Sequence, residues 1–407
     1  MTEIVTKTLP RRLLTAEFIA LMGVLYAMVA FSIDAMLPAL PDIAATLSPD
    51  APNLAQLVLT SFILGLGVGT LVVGPLSDTF GRKSIILASG GLYIVGATLA
   101  WAANSLEWML AARVIQGLGA AGPRIVSTAI IRDLYAGRQM ARIMSFAMLI
   151  FTIFPAVAPM IGAFIIVGFG WRAIFLAFVM FAFLAIGWLM LRQPETLPPS
   201  ARRGLGHRAL WGAMRESLAH KQMQVSILVQ ILVFGVLFGT LSSIQPLIAE
   251  TYGRDMGFAY WFALIAVAAA PAAPINGWLV TSLGMGKLVN RALILQAGGS
   301  FIVLIPIIFW DGAGFWMFLG WSVTVFAMAG FTIGNLNALA LEHLGHVAGM
   351  AASVMGAIST VGGATIGALI GQLYDGTALP LIWASCIASG FGVIFMCWMP
   401  SEAAKSL

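Results

Sequence analysis

Polar positions along this chain are sparse and bunched, and long apolar blocks run between them. Twelve blocks reach the roughly 20 residues that a helix needs to cross a bilayer. They fall at about 14–38, 54–77, 84–103, 107–131, 141–167, 172–191, 223–249, 257–281, 288–309, 314–340, 347–373 and 378–399. The pattern predicts an all-α membrane protein with twelve transmembrane helices. Connections are short except at 192–222, where the stretch GHRALWGAMRESLAHK predicts a surface helix with Leu210, Trp211, Met214 and Leu218 on one face. The chain therefore divides into six spans (1–191), a linker (192–222) and six spans (223–407).

The halves repeat. Gly74, Leu76 and Gly81 in GPLSDTFGRKS match Gly277, Leu279 and Gly284 in GWLVTSLGMGK, an offset of 203. Ile161, Gly162, Ala163 and Ile165 match Ile366, Gly367, Ala368 and Ile370, an offset of 205. Two matches at nearly one offset, in equivalent spans, predict a duplicated six-helix unit.

Composition narrows the class. The 407 residues are 60% hydrophobic and 9% charged, against about 25% charged in a soluble domain, so lipid must solvate most of the chain. The net charge of +5 comes from cations in short loops, which speaks for membrane orientation and against nucleic acid. The N-terminal MTEIVTKTLPRRLL leads into a first block too long for a signal-peptide core, so an uncleaved span is expected. Cys386 and Cys397 stand about 16 Å apart along one helix, too far for a disulfide with each other. No metal-ligand cluster and no nucleophile–base set stands in the loops, so neither an enzyme nor a bound cofactor is expected.

Cations set the topology. With both termini inside, 17 of the 21 Lys and Arg fall on inner segments. These are Lys7, Arg11, Arg12, Arg82, Lys83, Arg132, Arg138, Arg142, Lys287, Arg291, Lys405 and six in the linker. Only Arg172 and Arg254 fall outside, and Arg113 and Arg124 lie within the fourth span. GPLSDTFGRKS then sits at the inner end of the second span, with Gly74 and Gly81 for close approach and a tight turn, Asp78 at a helix end, and Arg82 and Lys83 at the lipid surface. A topology anchor would account for the two cations, but not for Asp78 or the glycine spacing.

G-x-L-x-D-x-x-G-R-K resembles the signature loop of the major facilitator superfamily, and the resemblance covers all twelve spans. LAARVIQGLGAAG at 110–122 is similar to that superfamily's R-x-x-Q-G motif. APMIGA at 158–163 is similar to the fifth-span motif of proton-coupled antiporters, with Ala158 and Ala163 in place of glycines around Pro159 and Gly162. GWRAIF at 170–175 and IRDLY at 131–135 resemble the Bcr/CflA branch of drug–proton efflux proteins. One departure is Thr79, where a basic residue is common. The resemblance implies two six-helix bundles around a central cavity lined by spans 1, 4, 7 and 10, rocking between inward-open and outward-open states. Gly74, Asp78, Gly81, Arg82 and Lys83 would form a latch on one state, with Asp78 pairing with a charge near the inner end of a neighbouring span.

Charges inside spans are expensive and mark function. Arg113 and Arg124 are eleven residues apart and share a helix face with Gly117, Ala120 and Thr128; both are expected to face a cavity or a partner, Arg124 as a substrate-cavity residue, with snorkelling to the inner surface as its alternative. Pro123 between them is expected to perturb the helix. Asp34, with Ala30, Ala27 and Gly23 on its face, lies at a depth comparable to Arg113. A pair between Asp34 and Arg113 would lower both desolvation costs; the alternative is a solvated helix-end residue before Pro38. No histidine lies in a span, so a carboxylate must carry a coupled proton, and Asp34 is the candidate; Glu17 is expected at the interface. Gln245 and Asn335 read as cavity residues or as interhelical glue, and Tyr26, Phe31, Phe234 and Phe238 as an adaptable apolar lining.

The sequence thus predicts a proton-coupled exporter of small amphipathic molecules. It would sit as a monomer in the bacterial inner membrane and need no cofactor beyond the proton gradient. A dedicated metabolite exporter or nutrient symporter on the same fold is the alternative.

Overall fold

The computed structural model describes residues 13–202, 207–254, 257–309, 314–344 and 347–400. Lys7, Arg11, Arg12, Arg203, His346 and Lys405 lie outside them. Every regular element among the described residues is helical: α1 Thr15–Asp34, α2 Leu40–Leu47, α3 Leu57–Phe80, α4 Arg82–Trp101, α5 Leu106–Leu134, α6 Gly137–Phe169, α7 Ala173–Arg192, α8 His207–Ala219, α9 Lys221–Pro246, α10 Phe258–Ala269, α11 Ala272–Leu283, α12 Met285–Phe309, α13 Gly314–Leu341, α14 Ala348–Gln372 and α15 Leu379–Met396, with short 3-10 or π turns between some of them. Among the described residues, twelve segments are long and apolar enough to span a membrane. Large apolar side chains such as Phe164, Val167, Leu191, Trp278 and Leu295 point outward with most of their surface exposed, as lipid-facing residues must.

Two spans differ from the sequence expectation, and proline is the reason in both. The first stops at Asp34, passes through a 3-10 turn at Leu37–Ala39 and resumes as α2. Pro38 has no N–H to offer the Asp34 carbonyl, so the α ladder ends there. The eighth is two helices, α10 and α11, broken at Ala270–Pro271. By contrast, α5 runs unbroken through Pro123.

In the first half α5 packs on α3 and α4, α6 on α1, and α7 on α4; in the second, α9 packs on α14, α13 and α15, and α12 on α13 and α15. The halves meet where α3 lies along α14 and α6 along α10. The repeat is visible in atoms. A side chain at Gly162 would strike the Ala35 carbonyl; one at Gly367 would strike Phe238 and Gly239. Gly367 follows Gly162 by 205 residues and Phe238 follows Ala35 by 203, so the same helix crossing is built twice. Likewise Gly81 (φ 101°) and Gly284 (φ 80°) make the same turn between consecutive spans.

One end of the molecule carries the linker and α8, which packs on α9 and α14. Leu218 and Met214 turn toward the protein there, while Trp211 is exposed. At the opposite, far end the halves are stitched together. Asn53 Nδ2 donates to the Tyr374 carbonyl at 2.8 Å and Gln372 Nε2 to the Asn53 carbonyl at 2.8 Å. Ser243 Oγ donates to Gln56 Oε1 at 3.4 Å. The structure is therefore closed at the far end. α10 packs on both α6 and α13, while α11 packs on α12 and α13.

Candidate functional site

The linker-end loop is a wired unit. Gly81, in a positive-φ conformation that other residues rarely adopt, ends α3 and lets α4 begin at Arg82. The Arg82 side chain is 10% exposed. Its Nη1 donates to Asp78 Oδ1 at 2.5 Å and Ser77 Oγ at 2.8 Å, and its Nε to Asp133 Oδ2 on α5 at 3.0 Å. Asp78 therefore pairs within its own loop, and Arg82 makes the crossing to a neighbouring span that had been expected of Asp78. Lys83 Nζ is tied to the Met190 carbonyl at 2.8 Å. Gly74 faces Ser353 on α14, across the boundary between the halves.

Sequence reasoning missed Glu195, the first acid of the linker. Its carboxylate accepts from the backbone N–H of Arg82 at 2.9 Å and of Lys83 at 3.0 Å, capping the N-terminus of α4 where anions are favoured. It also accepts from the N–H groups of Thr196 and Leu197, each at 3.0 Å. Thr196 Oγ1 donates to Asp133 at 3.0 Å. The start of the linker is thus strapped onto the loop. The Pro-Glu pair directly after an apolar block was the available signal. Arg82→Ala is expected to lower transport roughly tenfold or more, since a charge-assisted bond contributes about 1.5–3 kcal/mol, with Glu195→Gln intermediate. Equilibrium binding in detergent should change little; equal loss of binding and flux would remove the loop's conformational role.

Deeper in the first half, Arg113 is fully buried. The pair expected with Asp34 is not formed. Arg113 Nε donates to the Val58 carbonyl at 3.1 Å, Nη1 to Gln116 Oε1 at 2.7 Å and Nη2 to the Ser32 carbonyl at 3.1 Å. Its guanidinium lies 4.4 Å from the centroid of the Phe62 ring. The R-x-x-Q-G spacing explains this placement. Gly117 brings α5 against the Phe62 carbonyl on α3, where any side chain would clash. The closeness lets Arg113 reach the α3 backbone. Ser32 lies in the last turn of α1, whose carbonyls lack helical partners, so Arg113 caps α1 as a cation at a helix C-terminus. Tyr93 and Ser32 join their hydroxyls at 2.6 Å, and Ser32 Oγ donates to the Met28 carbonyl at 2.6 Å.

Asp34 ends α1, is 4% exposed, and makes no hydrogen bond or ion pair among the described residues. The antiport-like motif packs on the next residue: Gly162 meets the Ala35 carbonyl, and Ala158 and Pro159 are buried beside it while Ala163 is half-buried. The partnerless carboxyl thus stands at a chain break held by α5 through Arg113 and by α6 through Gly162.

Other candidates scatter. Tyr26 hydrogen-bonds Thr128 at 2.8 Å, joining α1 to α5. Arg124, one turn before Thr128, has no hydrogen bond or ion pair from its side chain among the described residues and is partly open. Phe31 departs from its expected lining role: it packs edge-on to Phe154 and Phe178, and tilted against Phe181, on α6 and α7. Phe234 and Phe238 stack at 5.2 Å and lean on Gly363 and Gly367 of α14. Asn335 donates to Asn276 Oδ1 at 2.7 Å, glue between α13 and α11 rather than a lining residue. Gln245 sits in a small far-end pocket with Gln56, Asn53 and Tyr374, its Oε1 buried without a partner. Glu17 forms a bidentate pair with Arg192 at 2.7 and 2.8 Å.

The family model described as Major Facilitator Superfamily matches residues 22–371. The chain is 32% identical over 403 residues to a bicyclomycin resistance protein homolog of Haemophilus influenzae, covering 96% of this chain and 98% of that one. It is 28% identical to a chloramphenicol resistance protein of Pseudomonas aeruginosa, covering 87% and 83%. Among solved structures, a D-xylose-proton symporter superposes with a TM-score of 0.77 at 16% identity, covering 97% and 99%. A partially occluded inward-open form of the xylose transporter XylE from E. coli gives 0.74 at 14%, covering 97% and 99%. At these identities the structural matches speak for fold alone.

Proposed function

We propose, from the premise that this chain belongs to the Major Facilitator Superfamily, that it is a proton-driven exporter of small amphipathic molecules, drugs among them, and not an enzyme. Membership makes it a multi-pass membrane transporter working by alternating access. The drug-resistance names of its relatives and the antiport-like motif on α6 support export over import. In this reading the linker end faces the bacterial cytoplasm, as the cation count requires, both termini lie inside, and a monomer surrounded by lipid suffices.

The observation that carries the coupling is Asp34. Among the described residues it is a buried carboxyl with no hydrogen bond or ion pair, and it stands where α1 breaks and α6 packs. A carboxyl without an ion pair can take up and release a proton without breaking one. Its exchange with the far side requires the Asn53–Tyr374–Gln372 seal to open, which ties proton access to the conformational change. The loop around Arg82, with Asp133 and Glu195, holds the linker end of the first half as a rigid piece during that change.

The test is flux in proteoliposomes holding the purified chain, with an imposed pH gradient. A bicyclomycin- or chloramphenicol-class compound should accumulate against its own gradient and lose that accumulation when a protonophore is added. Accumulation that ignores the protonophore would overturn proton coupling. A dedicated metabolite exporter would instead leave drug flux at the empty-liposome level.

A further inference from the structure

We infer that Arg124 is an anion-selecting subsite: the preferred substrates carry a negative charge on an otherwise apolar body, and organic cations are rejected. This deepens the exporter reading and rests on it.

The inference starts from where the chain places its charges. Asp34 stands at the far end of α1, and Glu17, Glu107, Asp78 and Asp133 all stand in the first or last turns of their spans. The interiors of α3, α4, α6, α7 and α9 to α15 contain no acidic residue. Two guanidiniums lie within one span, about 16 Å apart along α5 at helical rise, and they are treated differently. Arg113 has carbonyl and amide acceptors on three helices. Arg124, eleven residues on and so on the same face of α5, has no such partner for its side chain among the described residues.

Arg124 is half-buried, and part of its surface remains open. Ala120, Ala121, Val126 and Ser127 are buried, so the opening is local to the half-buried stripe of Arg124, Ile125, Thr128 and Ala129. Tyr26, 2% exposed, faces it from α1, so Arg124 borders the seam between α1 and α5. Its neighbours are the Tyr26 and Thr128 hydroxyls, joined at 2.8 Å. The nearest acids along the chain are far. Asp133 is nine residues on, about 14 Å at helical rise, and already bonded to Arg82 and Thr196; Asp34 is eight residues beyond Tyr26, about 12 Å toward the far end.

A half-buried charge within a span must be balanced by water or by a ligand, because leaving it unbalanced in low dielectric is costly. A carboxylate, sulfonate or ionised N–H acid on the substrate would balance it through two parallel N–H···O bonds. The hydroxyl pair offers a further polar contact. An ammonium substrate would meet like charge with nothing to offset it, which is how a site rejects a wrong partner.

The experiment uses one fluorophore with three charges: dansylglycine, its methyl ester and dansyl-ethylenediamine. Binding to the purified full-length chain in detergent is read by tryptophan-to-dansyl energy transfer, with protein-free micelles as blank. Wild type should bind the acid roughly tenfold or more tightly than the amine, with the ester between. Arg124→Gln should erase the preference, Arg124→Lys should retain part of it, and Arg124→Glu should reverse it. Equal binding of acid and amine by wild type, binding of none of the three, or a preference that survives in Arg124→Gln would each overturn the inference. The wild-type comparison stands even where a variant fails to fold. Gradient-driven flux separates the two readings. Drug flux without charge preference sinks the subsite alone; an Arg124-dependent preference without gradient-driven flux sinks the exporter alone.

Discussion

Arg113→Ala is expected to abolish gradient-driven transport and to cost the fold about 2–5 kcal/mol, the range for truncating a large buried side chain. The side chain is fully buried and holds three helices at one point: Val58 on α3, Gln116 on α5 and Ser32 on α1. Its removal leaves a cavity beside Phe62 and orphans the Ser32 carbonyl at the end of α1, where no helical donor takes over. That end is the one that carries Asp34. Arg113→Lys should restore only part of both properties, because a single ammonium cannot reach acceptors fanned over three helices as a planar fork does. The measurements are denaturant melts in detergent and flux in proteoliposomes, corrected for the amount of inserted protein. Full flux in Arg113→Ala would end its role, and normal stability with no flux would show that the role is functional without being structural.

Asp34→Asn is expected to uncouple the protein. Asparagine keeps the size and resembles the protonated carboxyl, and no ion pair is lost because Asp34 makes none among the described residues. The variant should therefore fold and bind substrate. Binding should lose its pH dependence, and flux driven by a proton gradient should fall to background, while exchange of labelled for unlabelled substrate continues. Binding of one transported compound at several pH values, followed by gradient-driven flux, checks both halves. If the variant still concentrates substrate using protons, Asp34 is not the coupling group. Glu17 is the next variant to make, although its bidentate pair with Arg192 must then break on each cycle.

Much of the site was legible as motifs but not as contacts. G-x-L-x-D-x-x-G-R-K marked Asp78, Gly81 and Arg82 as a unit, and the structure joins them; Asp133 and Glu195, which complete it, stand 51 and 113 residues from Arg82. The depth argument placed Asp34 and Arg113 at one level. It could not tell which way the guanidinium turns, and that direction is set by the approach of the α3 backbone at Gly117. Phe31 and Asn335 carried the right chemistry for a lining, but which neighbour a helix face meets is fixed by the crossing of helices far apart in the chain.

What the sequence determined by itself is what adds up residue by residue: twelve apolar stretches, the bias of cations to one side, and a repeat at an offset of 203 to 205 residues. The first two add up locally from transfer free energies and charge, and the third is a match of residue identities, so all three survive without knowledge of partners. What only the tertiary structure decided is pairing: Arg113 to α1 rather than to Asp34, Glu195 onto the first turn of α4, Arg124 left open. A charge in low dielectric takes whichever acceptor the packed backbone brings within about 3 Å, and that distance is a property of helix crossings, not of spacing along the chain.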